Sequence, residues 1–303
     1  MADRIDLAVA WDWTFDRDFI AHIGAECASR GVRMAALGPE EAGEAAEALR
    51  SGSVNIGTFL DRADHDQKPF AALSAAVVSS GTRYLNRPED VRRAADKATM
   101  HLEFLSHGIA VPYTIIISPY SSERKVELSL EQLALLGRPF IIKPANTTGG
   151  GTGVITGAET LKDVIDSRQH HRDDKYLLQE KVVPAEVEGK RGWFRVFFVC
   201  GEIIPCWWDD MTHVYAEVAG DRAGPYPLSP LVSITRTISS VCRLDFFSTE
   251  IAMTSEGRFV TVDYVNEICD MRVQSRHPDG VPDRLVSAIS ARLADAAAAG
   301  AKG

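Results

Sequence analysis

The stretch RPFIIKPANTTGGGTGVIT, Arg138–Thr156, runs from a strand-like apolar segment through Lys143 into a loop carrying four glycines. Phe140, Ile141 and Ile142 favour a β-strand, and Lys143 closes that strand with a charge. Glycine loses more conformational freedom on folding than any other residue, so a loop this rich in glycine takes its order from something outside the chain. A Walker loop would continue with Gly-Lys-Ser/Thr, whereas Gly153 is followed by Val154 and Ile155. The dinucleotide fingerprint G-x-G-x-x-G fails at Thr156. A lysine fixed at a strand end beneath a flap of backbone N–H groups still suits polyphosphate oxygens. The competing reading is a hairpin tip whose glycines merely allow the turn.

Outward from this segment, the chain before it alternates strand and helix. IDLAVAW, VRMAALG and VNIGTFLD read as short buried strands; RDFIAHIGAECASRG, PEEAGEAAEALRSG and PFAALSAAVVSSG read as helices stopped near glycine. This spacing predicts a parallel sheet covered by helices. From VPYTIII to KYLLQEKVVP the short elements predict a small α+β unit. Beyond it, WFRVFFVCGEIIPCWW and FFSTEIAMTSEGRFVTVDYVN predict hairpins turning at Gly201-Glu202 and near Glu256-Gly257. Between the hairpins, residues 209–229 read as a mobile polar loop, and DRLVSAISARLADAAAAG closes the chain as a helix. The boundaries fall at 1–95, 96–184 and 185–303.

Composition narrows the classes of function. The 303 residues are 45% hydrophobic and 25% charged, with a formal net charge of −9. That balance is globular, and it argues against a partner held through nucleic-acid phosphates. No apolar run is long enough to span a bilayer, and the acidic N-terminus lacks a signal-peptide core. A cytoplasmic enzyme with no membrane partner is expected. Cys27, Cys200, Cys206, Cys242 and Cys269 form no C-x-x-C pair, and their odd number fits reduced thiols. The histidines lack zinc spacing. Trp207, Trp208 and the WDW near residue 12 read as packing residues.

Other segments carry chemistry in a fixed order. Lys97 opens a helix; Gln179 and Glu180 end a strand whose extended exit offers backbone groups to an adenine edge. Glu250, Asp263 and Asn266 end two paired strands with oxygen donors suited to Mg²⁺ held jointly with phosphates. Arg195 and Arg272 are candidates for gripping an anionic substrate or reaction centre, because the guanidinium fork meets two oxygens at once. The plainer reading of Arg195 is a polar strand residue facing solvent or an ion-pair partner.

This set, from Lys97 to the C-terminal helix, resembles the ATP-grasp superfamily. The resemblance implies a Rossmann-like N-terminal α/β domain followed by two α+β subdomains. It implies that Lys97 and Lys143 contact ATP phosphates beneath a flap of Gly149, Gly150, Gly151, Thr152 and Gly153. Gln179, Glu180, Lys181 and Val183 would form the adenine hinge, and Glu188 or Glu186 would hold the ribose. Glu250, Asp263 and Asn266 would hold Mg²⁺, or Mn²⁺ in its place, with Glu267 or Asp270 as substitutes for Asp263. The pattern departs from the family in one place. Asp263-Tyr264-Val265-Asn266 is one residue longer than acid-x-Asn, which turns Asp263 to the opposite strand face unless a bulge corrects it. The Pro-Gly turn that often follows the asparagine is replaced by EICDMR.

The implied reaction joins a small-molecule carboxylate to an amine through an acyl phosphate, releasing ADP and phosphate. A closing flap has a reason to exist there, because water would destroy the intermediate. The alternatives are a small-molecule kinase on the same scaffold and a non-catalytic ATP-binding regulator. The residues do not fix the oligomeric state; the resemblance allows a homodimer, which is common among such proteins.

Overall fold

The computed structural model describes residues 3–63, 67–122, 126–146 and 151–300. In the first region β1 (Asp3–Trp11), β2 (Met34–Leu37), β3 (Val54–Arg62) and β4 (Arg83–Leu85) alternate with α1 (Arg17–Ser29), α2 (Glu41–Ser51) and α3 (Lys68–Ser80). The strands pair in parallel in the order β2-β1-β3-β4. A Rossmann sheet would open 3-2-1-4; the observed order is that of the flavodoxin-type doubly wound sheet. Leu7, Val9 and Leu60 pack on one face and Ala8, Ala10 and Phe59 on the other, which is why these strands read as continuous apolar runs. Helices α2 and α3 cover the second face through Ala46, Leu49, Phe70 and Val77.

Two short helices, α4 (Pro88–Ala95) and α5 (Lys97–Ser106), lead to the second unit. Asp96 starts α5 as its N-cap, accepting from Ala98 N and Thr99 N. The unit contains β5 (Thr114–Ile117), α6 (Leu130–Leu136), β6 (Phe140–Pro144), β7 (Ile155–Ala158), α7 (Leu161–Ser167) and β8 (Tyr176–Glu180). Its strands form an antiparallel sheet in the order β5-β8-β6-β7. Ser129 and Thr160 each begin their helix with a reciprocal capping box.

The third unit opens with a small hairpin, β9 (Glu186–Val187) and β10 (Lys190–Arg191). It continues through β11 (Trp193–Val199), β12 (Glu202–Trp208), β13 (Tyr215–Glu217), β14 (Arg222–Ala223), β15 (Tyr226–Pro227), α8 (Ser229–Cys242), β16 (Phe246–Met253) and β17 (Phe259–Asn266). Five strands make an antiparallel sheet in the order β13-β12-β11-β16-β17. The region 209–229, expected as a polar loop, contributes β13 to this sheet and packs Ala223 and Leu228 into its core. Its sparse apolar residues are the ones that anchor it, so composition alone hid the pairing.

Helix α9 (Asp283–Gly300) departs from the expected boundaries. Val286, Ile289, Leu293 and Ala297 join Leu7, Val9, Phe19 and Ile23 in one core, so α9 covers the open face of the first sheet beside α1. Asp16 and Arg62, both side chains 1% exposed, form an ion pair at 2.7 Å. Arg62 Nη2 also donates to Cys269 O at 2.8 Å, tying the first sheet to the segment after β17.

Candidate active site

Residues directly opposite in an antiparallel ladder point to the same face. Arg195 on β11 faces Glu250 on β16, and Glu250 faces Asp263 on β17. The three side chains therefore form one row across the third sheet. Further along, Ser248 faces Asn266, and the register shifts between these pairs. Tyr264 and Val265 together oppose Thr249, which is the bulge the long Asp-x-x-Asn spacing requires. It turns Asp263 and Asn266 to one face, so the extra residue does not break the site.

The lysines approach this row from the second unit. Lys97 Nζ and Lys143 Nζ each lie 3.9 Å from Asp263 Oδ1. Lys143 is only 6% exposed; its ammonium donates to Val262 O at 3.0 Å and lies 5.5 Å from the centre of the Tyr264 ring. Lys97 is held by its own backbone N–H, which donates to Ala145 O at 3.0 Å. The helix start and the strand leading to the glycine loop are thus joined at the point where both lysines project.

Arg195 closes the other end of the row. Its Nη2 donates to Glu250 Oε1, and its Nη1 donates to Ser248 Oγ at 3.3 Å. With its amide oxygen turned toward the guanidinium, Asn266 accepts from Arg195 Nη1 at 3.1 Å and donates to Ile268 O at 2.9 Å. Trp208 lies beneath the guanidinium at 4.9 Å. Arg195 Nε is buried and finds no partner among the described residues. A buried donor of this kind matches an anionic ligand oxygen.

The electrostatics follow from crowding charges in a dry place. Burial pushes the Glu250 carboxyl above the usual range, against the pull of Arg195. Asp263 is only partly buried, its side chain 35% exposed; desolvation raises its carboxyl, but Lys97, Lys143 and Arg195 outweigh that and hold it below the usual value. Burial pushes the Lys143 ammonium down. Burial acts against the Arg195 charge, while Tyr215, Glu250 and Asp263 keep it above its ordinary value. Glu267, raised by burial, senses Lys97 and Asp263, so it borders the row without entering the ladder.

The remaining sequence candidates separate. Gln179 is buried, and its amide donates to Thr114 Oγ1 at 3.0 Å and to Tyr264 O–H at 2.8 Å; its backbone lies in the ladder between β5 and β6. Glu180 accepts from Tyr113 N at 2.9 Å and leads to exposed Lys181 and to Val183, which is 72% exposed. Glu188 occupies the tip of the β9–β10 hairpin at φ 53°, and Glu186 is exposed on β9. Gly151, Thr152 and Gly153 are exposed, while Gly149 and Gly150 lie outside the described residues. Arg272 is gripped by Asp270 and by Asp279, each within 2.9 Å; none of its ion pairs among the described residues reaches the row. Asp270 is engaged in the same way.

Sequence reading missed Trp193, whose Nε1 donates to Glu250 Oε2 at 3.2 Å, and the stacking role of Trp208. The signal for both was alternation: Trp193 shares the strand face of Arg195. Trp207 packs on Phe194 as expected, whereas Trp13 of the WDW segment is 40% exposed and sits against Phe15.

Aligned oxygens on Glu250, Asp263 and Asn266 fit a hard cation such as Mg²⁺. Among the described residues no three or more His, Cys, Asp or Glu cluster into a metal cage. A cation here would therefore complete its coordination with ligand oxygens and water. None of the described helices is long and apolar enough to cross a membrane.

Neither the family models nor the curated proteins give a match to this sequence. Solved structures do. A RimK domain ATP-grasp protein from Sphaerobacter thermophilus DSM 20745 superposes with TM-score 0.62 at 19% identity, over 95% of this chain and 98% of that one. The ATP-grasp ligase PsnB, in complex with a minimal precursor, Mg and ADP, gives 0.65 at 15% identity, over 98% and 99%. D-alanine–D-alanine ligase from Bacillus anthracis, in complex with ATP, gives 0.62 at 13% identity, over 96% and 94%. The chain has the ATP-grasp fold.

Proposed function

We propose that the chain is an ATP-dependent ligase that joins a carboxylate to an amine, or a similar nucleophile, through an acyl phosphate. One observation carries this reading: two lysine ammonium groups from the second unit meet the Arg195–Glu250–Asp263 row of the third at Asp263 Oδ1. Cations of one unit set against carboxylates of another suit a triphosphate with its metal. The likeness in fold to ligases solved with nucleotide supports it. The regulator alternative drew on the long Asp-x-x-Asn spacing, and the bulge removes that ground.

In this reading Lys97 and Lys143 neutralise phosphate oxygens, and the backbone of 180–183 receives the adenine. Glu250, Asp263 and Asn266 would hold Mg²⁺, which when bound withdraws charge from the transferring phosphoryl group. Arg195 orients the acceptor oxygen and the phosphoryl group with its guanidinium fork. The glycine flap, of which Gly151, Thr152 and Gly153 are among the described residues, would exclude water while the amine attacks. The substrates are a carboxylate and an amine, each carried by a small molecule or a peptide.

The test is a screen of carboxylate and amine pairs for ADP and free phosphate release, with hydroxylamine added to trap the acyl phosphate. Equal ADP and phosphate, with a hydroxamate in place of product, are expected. ADP without free phosphate would make the chain a kinase, and nucleotide binding without turnover would make it a regulator.

A further inference from the structure

The extra residue in the Asp263–Asn266 segment has a place of its own. Tyr264 is 0% exposed, in the core that joins α5, β8, α8 and β17. Its hydroxyl lies 2.6 Å from His101 Nδ1 on α5 and accepts from Gln179 Nε2 on β8 at 2.8 Å. Gln179 immediately precedes Glu180 at the start of the strand exit, and Tyr264 immediately follows Asp263. We propose that Tyr264 is a positioning residue whose hydroxyl holds the adenine-hinge strand in register with the phosphate-facing row. The proposal rests on reading the row and the 179–183 exit as a nucleotide site.

The chemistry of the link is self-consistent. Burial and the Lys143 charge push His101 down to about 4, so its imidazole is neutral and Nδ1 accepts the tyrosine proton. That leaves the phenolic oxygen to accept from Gln179, and the chain continues to Thr114 Oγ1. The ring supports Lys143 from below; the hydroxyl alone reaches the hinge. A one-residue bulge therefore places Asp263 outward toward the two lysines and a cross-unit bolt inward. Without the hydroxyl, the hinge and the row would each survive but their separation would no longer be fixed.

Two probes divide these roles. Mg²⁺·tripolyphosphate reads the row alone, and Mg²⁺·ATP reads the row and hinge together. Tyr264→Phe keeps the ring and removes the hydroxyl. By calorimetric titration, the variant is expected to bind ATP about tenfold more weakly, one hydrogen bond's worth, and tripolyphosphate within about twofold of wild type. Gln179→Met cuts the same bond from the hinge side and is expected to give the same split; it decides the matter if Tyr264→Phe does not fold. Unchanged ATP affinity, or equal losses for both probes, would overturn the positioning role. Wild-type protein that binds neither probe would overturn the nucleotide reading, and the positioning role with it; binding of both without the split would refute Tyr264 alone.

Discussion

Replacing Lys143 by methionine separates a binding charge from a folding charge. Methionine keeps the length and apolar stem of lysine, so the site near Tyr264 stays filled. The ammonium it removes is held by Val262 O at 3.0 Å and faces an Asp263 carboxylate that Lys97 also approaches at 3.9 Å. Its loss leaves Asp263 with a cation, while burial already disfavoured the Lys143 charge. The folded protein should change by less than about 1–2 kcal/mol, within roughly 4–6 °C in Tm. Toward ATP the reckoning is different. A unit charge about 4 Å from a phosphate oxygen is worth roughly 4 kcal/mol at the effective dielectric of partly buried sites. That figure is an upper bound and corresponds to about a thousandfold in kcat/KM. A coupled ADP-release assay beside a melting curve with and without Mg²⁺·ATP reads both quantities. Turnover within threefold of wild type, or a melting loss above about 10 °C, would refute the view that this lysine serves ligand rather than fold.

Further outcomes follow from other contacts. Arg62→Leu strands the Asp16 carboxylate in a site 1% exposed; a loss of about 3–5 kcal/mol is expected in chemical denaturation. Gly280→Ala sets a Cβ 2.5 Å from Arg272 O, so the Arg272 loop must shift, with about 1–3 kcal/mol lost in thermal unfolding. For His101, the folded value near 4 lies below the ordinary 6.5. The unfolded chain then binds the proton first, so stability is full above about 6.5 and falls as pH drops toward 4, by roughly 3 kcal/mol. Melting curves across that window should be shallower in pH for His101→Gln.

Much of this arrangement was legible in residues alone because local pattern carried it. Helix stops at Gly52 and Gly81, the hairpin turn at Gly201 and the strand before Lys143 each announce themselves through period and backbone demand. The order of Lys97, Lys143, Glu180 and Glu250 was readable for the same reason. Register was not. Whether Asp263 and Asn266 share a face depends on how β17 meets β16, a pairing decided by the partner strand and by Tyr264 turning into the core. The strand order of the first sheet and the docking of α9 are likewise long-range choices. The ion pair of Arg272 with Asp279, seven residues away, was not readable because the two become neighbours only when the loop closes.

The docking of α9 reaches beyond the folded state. During synthesis β4 emerges well before Asp283, and until then Leu7, Val9 and Leu60 lack the helix that covers them. At about 5–20 residues per second that interval lasts on the order of tens of seconds. The nascent chain therefore carries a greasy, half-covered layer through most of its birth, a natural hold for a ribosome-associated chaperone and a weak point for fragments shortened at the C-terminus.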